Sequence, residues 1–457
     1  MRLNYWLYGQ LWRYFDCLLW APLFPMKNDE RDTLTIQNFA HDGRGVARLK
    51  GKTVFVSNAL PGETVEAEIV CTHRSFDEAK AISVLSGKSH LRVTPKCEYF
   101  GKCGGCDLQH IQDSYQLKYK RDVLAEILAR QSDLTAEYEL EAVTSLPWRY
   151  RRNARIAVST SLEHGLTLGF REKGSRTVVH CLKCDILEPS LSDLLPHLTD
   201  LIQGLDFKNC IPEVELLSTE DNVTVTLFIE PKFNASDRIK LSDFSNAHKV
   251  SVCRKSGKTI ESLGSSNADH GYYINNLYFE MSPGSFLQTN HEINTALVAH
   301  VLEVLAPSKN ETIADLFCGM GNFSLPLAQL AGSVVGVESD RDLLAQGRAN
   351  ADLNAILNCE FLRGDLFKCS KFLLARLADC EKILLDPPRV GALDFVTNCD
   401  FEKINHIVYV SCSPSTFARD AKVLCGRHKF TLISTRVFDM FPQTAHVELV
   451  GVFKKGI

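Results

Sequence analysis

The chain carries no excess of either charge: 51 lysines and arginines against 55 aspartates and glutamates leave a formal net charge of −4 over 457 residues. Bulk electrostatics therefore gives no reason to bind a polyanion, and any nucleic-acid contact must come from local basic patches. Long apolar runs are missing too. The aromatic-rich opening, from Tyr5 and Trp6 to Trp20 and Phe24, is interrupted by Arg13 and Asp16, and no small-residue cleavage site follows it. That pattern argues against a spanning helix and against a secretory leader. Residues 1–26 read instead as an appendage or a start-site artefact, with an amphipathic surface helix as the alternative. A chain beginning at Met26 is expected to keep its fold and activity. Sixteen cysteines are too sparse for a disulfide framework at this length, so reduced thiols in a cytoplasmic protein are expected. Internal repeats and low-complexity tracts are also lacking.

What is present is a globular composition, 45% hydrophobic and 23% charged, sufficient for two or three domains each with its own core. From Leu34 to about Ser89 short alternating segments such as Thr53–Ser57 and Thr64–Val70 are separated by Asp42-Gly-Arg-Gly45 and Pro61-Gly62 turns. These predict a small β-barrel of the oligonucleotide-binding type, with Arg44, Arg48, Lys50 and Lys52 making its turns basic. A helix is expected over Ile111–Ala129, then β-rich sequence to Phe279. Basic clusters at Arg149, Arg151, Arg152 and Arg155, and at Arg171, Lys173 and Arg176, are either RNA grips or solvated faces. From about Met281, helices alternate with apolar strands at Thr312–Phe317, Ser333–Glu338, Lys382–Asp386 and His406–Ser411, which predicts an α/β doubly wound sheet. The expected division is 1–26, extension; 27–90, barrel; 91–280, central β-rich domain; 281–457, Rossmann-like domain.

Three motifs carry chemistry. Cys97, Cys103 and Cys106 form C-x5-C-x2-C among Gly101, Gly104 and Gly105; with a fourth ligand from Cys184 or Cys181 they can hold zinc or an iron–sulfur centre, and otherwise they are free thiols. Asp315-Leu-Phe-Cys-Gly-Met-Gly-Asn322 lies between a strand and a helix, with Glu338 closing the next strand. The third glycine of the dinucleotide fingerprint is absent, so S-adenosylmethionine is favoured over a nicotinamide. Glu338 is placed to accept ribose hydroxyls, and Asp365 either accepts from the adenine amino group or caps a helix. Cys412, in Val408-Tyr-Val-Ser-Cys412, and Asp386, in Leu384-Leu-Asp-Pro-Pro-Arg389, fall at the same end of the sheet, where such folds bind ligands. Cys412 is the candidate nucleophile and a core thiol is its bland alternative.

Together with Phe286-Leu-Gln-Thr-Asn290, Cys103-Gly-Gly-Cys106-Asp-Leu-Gln-His110, Ser411-Cys-Ser-Pro414 and His446-Val-Glu448, these motifs resemble the bacterial RNA uracil-C5 methyltransferases. Among them they are most similar to the type acting on uridine 1939 of 23S ribosomal RNA. The resemblance runs from about Leu34 to the end. It implies a TRAM barrel, a central domain with a 4Fe-4S cluster on Cys97, Cys103, Cys106 and Cys184, and a C-terminal S-adenosylmethionine-dependent methyltransferase domain. Cys184-Asp-Ile-Leu187 matches the family's fourth-ligand stretch except that Asp185 stands where proline is usual. Cofactor contacts are implied for Gln288, Phe317, Asn322, Glu338, Asp365 and Asp386; without the resemblance Gln288 is surface polarity and Phe317 core.

The implied reaction adds the Cys412 thiolate to uracil C6, methylates C5 and removes the C5 proton with Glu448 as base, while Asp386 holds the uracil's polar edge. The partner is 23S ribosomal RNA in an unstructured or locally opened form, because the base must leave its stack; neither DNA nor a membrane is expected, and the chain is expected to be monomeric. Barrel and cysteines together favour the 23S type over transfer-RNA enzymes, for which the resemblance implies neither. A radical methylthiotransferase would want its first two cysteines closer, and a DNA cytosine enzyme a proline before the nucleophile, where Ser411 stands. A non-catalytic RNA-binding protein is the alternative of a different class.

Overall fold

A computed structural model describes residues 31–161, 165–220, 222–264, 270–368 and 370–455; the opening segment discussed above lies outside them. The chain divides into two compact units, 1–92 and 93–457. The first is a six-stranded sheet in the order Arg31–Thr35, Thr64–Thr72, Phe76–Ser86, Lys52–Ser57, Gly45–Leu49, Asn38–Phe39. Gln37, just beyond the first strand, donates to Val46 O at 2.8 Å, which brings the two edges of the sheet together. Period-two alternation puts Val54, Val56, Val65 and Ala67 inside, fully buried, as a half-buried strand requires. Two of the four basic turn residues are paired with acids: Arg44 with Asp42 at 2.7 Å and Glu78 at 3.0 Å, and Lys52 with Asp77 at 2.6 Å; Arg48 and Lys50 are exposed.

The second unit holds two large sheets. One has seven strands, ordered Val178–His180, Gly165–Arg171, Asn153–Ser161, Glu213–Ser218, Val223–Phe228, Ser251–Ser256, Thr259–Ser262. Helices Leu194–Gly204 and Ala235–His248 belong to this region. The sequence, read as β-rich here, anticipates neither, although Leu194, Leu195, Leu198 and Ile202 give the first an apolar stripe; the second lacks one. It is started by Asn234, whose Oδ1 accepts from Asp237 N at 2.7 Å, and stopped at Lys249 in the left-handed region, a terminus signal without periodicity. The helix expected over Ile111–Ala129 runs Asp113–Ile127 and continues into a π-type turn, Leu128–Ser132.

The other sheet has eight strands, ordered Cys359–Arg363, Ser333–Glu338, Thr312–Leu316, Lys382–Leu385, His406–Ser411, Glu448–Lys455, Phe430–Phe438, Tyr138–Glu139. Its first five are parallel. The order reverses between Thr312–Leu316 and Lys382–Leu385, and right-handed crossovers then put helices on both faces and open a ligand crevice at the reversal. The last two long strands form an antiparallel hairpin that parallel alternation did not foretell. Core packing is continuous with the 271–280 hairpin, since Tyr272, Ile274 and Phe279 join the cluster of Leu297, Ile313, Val408 and Val450.

Gly451 shows how tightly the hairpin is set. It lies across from Tyr409 and Thr435, and a Cβ there would stand 2.3 Å from Phe417 Cζ, on a fully buried ring. Gly451→Val is therefore expected to lose about 1–3 kcal/mol of stability, seen as a lower urea midpoint; a parent-like midpoint would contradict this packing.

Candidate active site and cysteine cavity

Three strand ends converge. Leu316 pairs with Leu385 and Leu385 with Tyr409, so Phe317 and Asp386 leave adjacent strands side by side and Cys412 follows one strand further along. Ser411 pairs with Leu449 in the antiparallel ladder. Cys412 thus comes one residue after that pair and Glu448 one residue before Leu449, on neighbouring strands at one edge. The expected thiol and both carboxyls are brought together by register alone.

Their charges are crowded. Glu448 is buried, and burial, then the nearby Asp386 carboxyl, pushes it up to about 8, opposed by Arg389. Asp386 is pushed up to about 7 by burial and by Asp315. Burial, then Glu448, raises the Cys412 thiol to about 11, with Arg389 pulling it down. Arg389 is therefore the nearby cation that favours both ionised forms; it had been noted only as part of a motif. Its Nη2 lies 3.5 Å from His446 Nδ1, and its carbonyl accepts from Thr416 Oγ1 at 3.1 Å.

The nucleotide-type loop is a cradle. Phe317, Gly319 and Gly321 adopt φ of 64°, 56° and 93°, and nothing lies within 4 Å of a Cβ placed on Gly319. Backbone is thereby left open to a ligand. Asp315 is fully buried; its Oδ2 accepts from Ser324 Oγ while Oδ1 has no partner, and burial raises its carboxyl to about 7. Glu338 accepts from Gly319 N at 3.3 Å and from Asp340 N at 2.9 Å. Phe317 is half-buried, its ring 5.7 Å from that of Phe367. Asp365 is exposed and holds a turn through Phe367 N at 3.0 Å, so it caps no helix. The Asn322 amide is paired with Asn294 at 3.0 and 3.1 Å and accepts from Tyr272 at 3.3 Å; Asn294 and Tyr272 had not been singled out. Gln288 is half-buried in the loop preceding helix His291–Leu305.

Cys97, Cys103, Cys106 and Cys184 line one cleft, together with Cys181, Arg151 and Lys183. The cleft is built from loops: Cys97 N donates to Gln109 Oε1 at 3.1 Å and Cys184 N to Ser192 Oγ at 3.0 Å. Burial raises Cys106 to about 12 and Cys184 to about 11, while a thiol–thiol hydrogen bond lowers Cys103 and raises Cys181. Among the described residues no three metal-ligating side chains are close enough to hold a single ion. Asp185, in the usual proline position, pairs with Lys183 at 2.9 Å.

The basic cluster around Arg149 is only partly open: Arg149 and Arg155 are exposed, Arg151 is half-buried and Arg152 is buried. Arg152 is buried over the Tyr272 ring at 4.9 Å and 3.6 Å from Glu220, and Arg155 pairs with Glu213 and Glu215, each at 3.3 Å. Arg152, just before strand Asn153–Ser161, is turned inward beside Tyr272 and Glu220, which a run of arginines in sequence conceals.

A family model described as tRNA (Uracil-5-)-methyltransferase matches residues 112–456, and a TRAM domain model matches residues 30–82. A protein of Xanthomonas campestris named 23S rRNA (uracil(1939)-C(5))-methyltransferase RlmD is 38% identical over 92% of this chain and 96% of its own length. One of Stenotrophomonas maltophilia bearing the same name is also 38% identical over those shares. The crystal structure of Pyrococcus abyssi tRNA (uracil-54, C5)-methyltransferase with S-adenosyl-L-homocysteine superposes with a TM-score of 0.71 at 26% identity, covering 92% of this chain and all of that one. Coverage of that extent includes barrel residues, so the barrel by itself does not separate ribosomal from transfer RNA as substrate.

The raised Glu448 carboxyl has a sign that can be checked. A native pKa above the unfolded one favours the neutral form, so the native state loses stability as pH rises from about 4.5 through about 8. Glu448→Gln should therefore be more stable than the parent at pH 8.5, on the order of 2–4 kcal/mol, with the difference vanishing near pH 4. Equal stability at both pH values would mean that Glu448 is not held in a low-dielectric site.

Proposed function

Because the chain belongs to the RNA uracil-5-methyltransferase family, with a TRAM domain before the region that the family model matches, we propose that it forms 5-methyluridine at position 1939 of 23S ribosomal RNA. The observation that carries this reading is the convergence of Cys412, Asp386 and Glu448 at one sheet edge beside the glycine cradle. The identity to 23S enzymes across nearly the whole chain supports the choice of RNA. Residues 27–90 then grip RNA, 91–280 carry the cysteine centre and 281–457 transfer the methyl group. A flipped base in unstructured or locally opened RNA, approached by a monomer in the cytoplasm, fits this reading; no described helix is long and apolar enough to cross a membrane.

S-adenosylmethionine, when bound, supplies the electrophilic methyl group. Phe317 and the open backbone at Gly319 are suited to face its adenosine, Glu338 and Asp365 to accept from hydroxyl and amino groups, and Gln288 and Asn322 to flank it. Cys412, half-buried, gives its thiol proton to solvent and adds its sulfur to uracil C6, and the C5–C6 π pair moves toward C5 and O4; C5 then takes the methyl group as the methyl–sulfonium bond breaks, its electron pair staying on the departing sulfur. Asp386, poised near neutrality, can donate to the uracil's polar edge in one state and accept in the other. After C5 is methylated, Glu448 takes the C5 proton, the electron pair re-forms C5–C6, and the C6–S bond breaks to free Cys412. Arg389 favours both ionised groups.

Cys97, Cys103, Cys106 and Cys184 suit a 4Fe-4S cluster because they supply soft thiolates around one cleft rather than ligands converging on a point. Held by these four thiolates, such a cluster would have every iron coordinated by the protein, and its role would be structural or RNA-positioning. Anaerobic purification should give iron and sulfide in matching amounts, and Cys184→Ser should lose both. Stoichiometric zinc would overturn the assignment, and undiminished iron in that variant would move the fourth ligand to Cys181.

Cys412→Ala is expected to bind S-adenosylmethionine like the parent and to transfer no methyl group to 23S RNA; near-parent turnover would sink the mechanism. Glu448→Gln should accumulate a protein–RNA adduct containing the methylated base. Mapping 5-methyluridine in RNA from cells with and without the gene fixes the position: loss at a transfer-RNA site with 23S RNA unchanged would reject the substrate.

A further inference from the structure

The loop between Phe438 and Glu448, which ends on the proposed base, is fastened to the cysteine segment. Gln443 is fully buried at its centre, in the left-handed region at φ 68°. Its carbonyl accepts from Asp107 N at 2.9 Å and Leu108 N at 3.0 Å, the residues directly after Cys106. Its own N–H donates to Gln116 Oε1 at 3.0 Å, its side-chain oxygen accepts from Gln116 Nε2 at 3.0 Å, and its side-chain nitrogen donates to Asp113 at 2.7 Å. Gln116 also donates to the carbonyls of Leu108 at 3.1 Å and Ile111 at 3.0 Å. Every polar group of Gln443 is thus engaged by the segment that follows Cys106.

The loop passes that constraint on. Thr444 Oγ1 donates to Phe441 O at 2.9 Å and accepts from His446 N at 3.3 Å, and Glu448 then enters the ladder opposite Phe438. Left-handed backbone at a non-glycine residue is costly and persists where surrounding contacts over-determine it. Here those contacts come from the cysteine segment.

We infer that Gln443, clamped by Gln116, is a positioning residue that transmits the arrangement of the cysteine cavity to Glu448 and so sets the proton-abstraction step. This rests on the function proposed above and would give the cysteine cavity a part in the reaction without any contact with the methyl group. The clamp acts on release of the covalent adduct and leaves cofactor binding alone, because none of its residues belongs to the glycine cradle.

The test compares Gln116→Leu and Gln443→Gly with the parent on 23S RNA; the glycine tolerates the backbone angle and removes only the side chain. Release of the methylated adduct should slow by about 10²-fold in Gln116→Leu, with S-adenosylmethionine affinity and iron content unchanged; parent-rate release in both variants would overturn the proposal. Independently of either variant's folding, amide exchange at Gln443–Val447 should rise when the full-length parent is depleted of iron, and unchanged protection would also overturn it. Glu448→Gln run alongside separates the two levels. If it accumulates no adduct, the base assignment fails and the clamp's role falls with it; if it does while the clamp variants release normally, only the clamp is wrong.

Discussion

Everything at the site depends on one antiparallel pairing, that of His406–Ser411 with Glu448–Lys455. A parallel neighbour would have run its carboxyl end to the same edge and carried Glu448 to the far one. Reversing the strand brings its first residue, Glu448, beside Cys412, which lies 36 positions earlier in sequence. The five parallel strands supply the crevice, and the reversed one supplies the carboxyl that we propose as the base within it.

That placement has an electrostatic consequence. Asp315, Asp386 and Glu448 are crowded among buried groups, and burial and neighbouring carboxyls hold each above its usual range. Such crowding destabilises the folded state at alkaline pH but suits groups that must exchange a proton near neutrality. Burial and Glu448 hold the Cys412 thiol above its usual range, which makes it less prone to oxidation than a thiolate. Arg389 is the counterweight, and it sits two prolines after Asp386 on the loop that also anchors Thr416.

Much of this was legible in sequence. Strands Ser333–Glu338 and His406–Ser411 matched their apolar runs end to end, because fully buried parallel strands write themselves as continuous hydrophobic segments. Gly319 and Gly321 announced the cradle because only glycine-like backbone leaves it open. The locking of Asn322 by Asn294, the burial of Arg152 and the clamp of Gln443 by Gln116 were not legible. Each depends on pairs separated by 28 or more residues, and no local period records such a partner. Helix Ala235–His248 escaped for a different reason, since its capping residue carries the signal and its faces do not.

The central claim is that Cys412 bonds to uracil C6 before the methyl group is passed on. RNA carrying 5-fluorouridine at the target position tests it directly, since fluorine at C5 cannot leave as a proton and the adduct cannot resolve. Digestion and mass spectrometry of the trapped complex should place the methylated nucleotide on the peptide containing Cys412. Attachment to any other residue, or methylation of normal RNA by a protein that forms no adduct with the fluorinated one, would contradict the account.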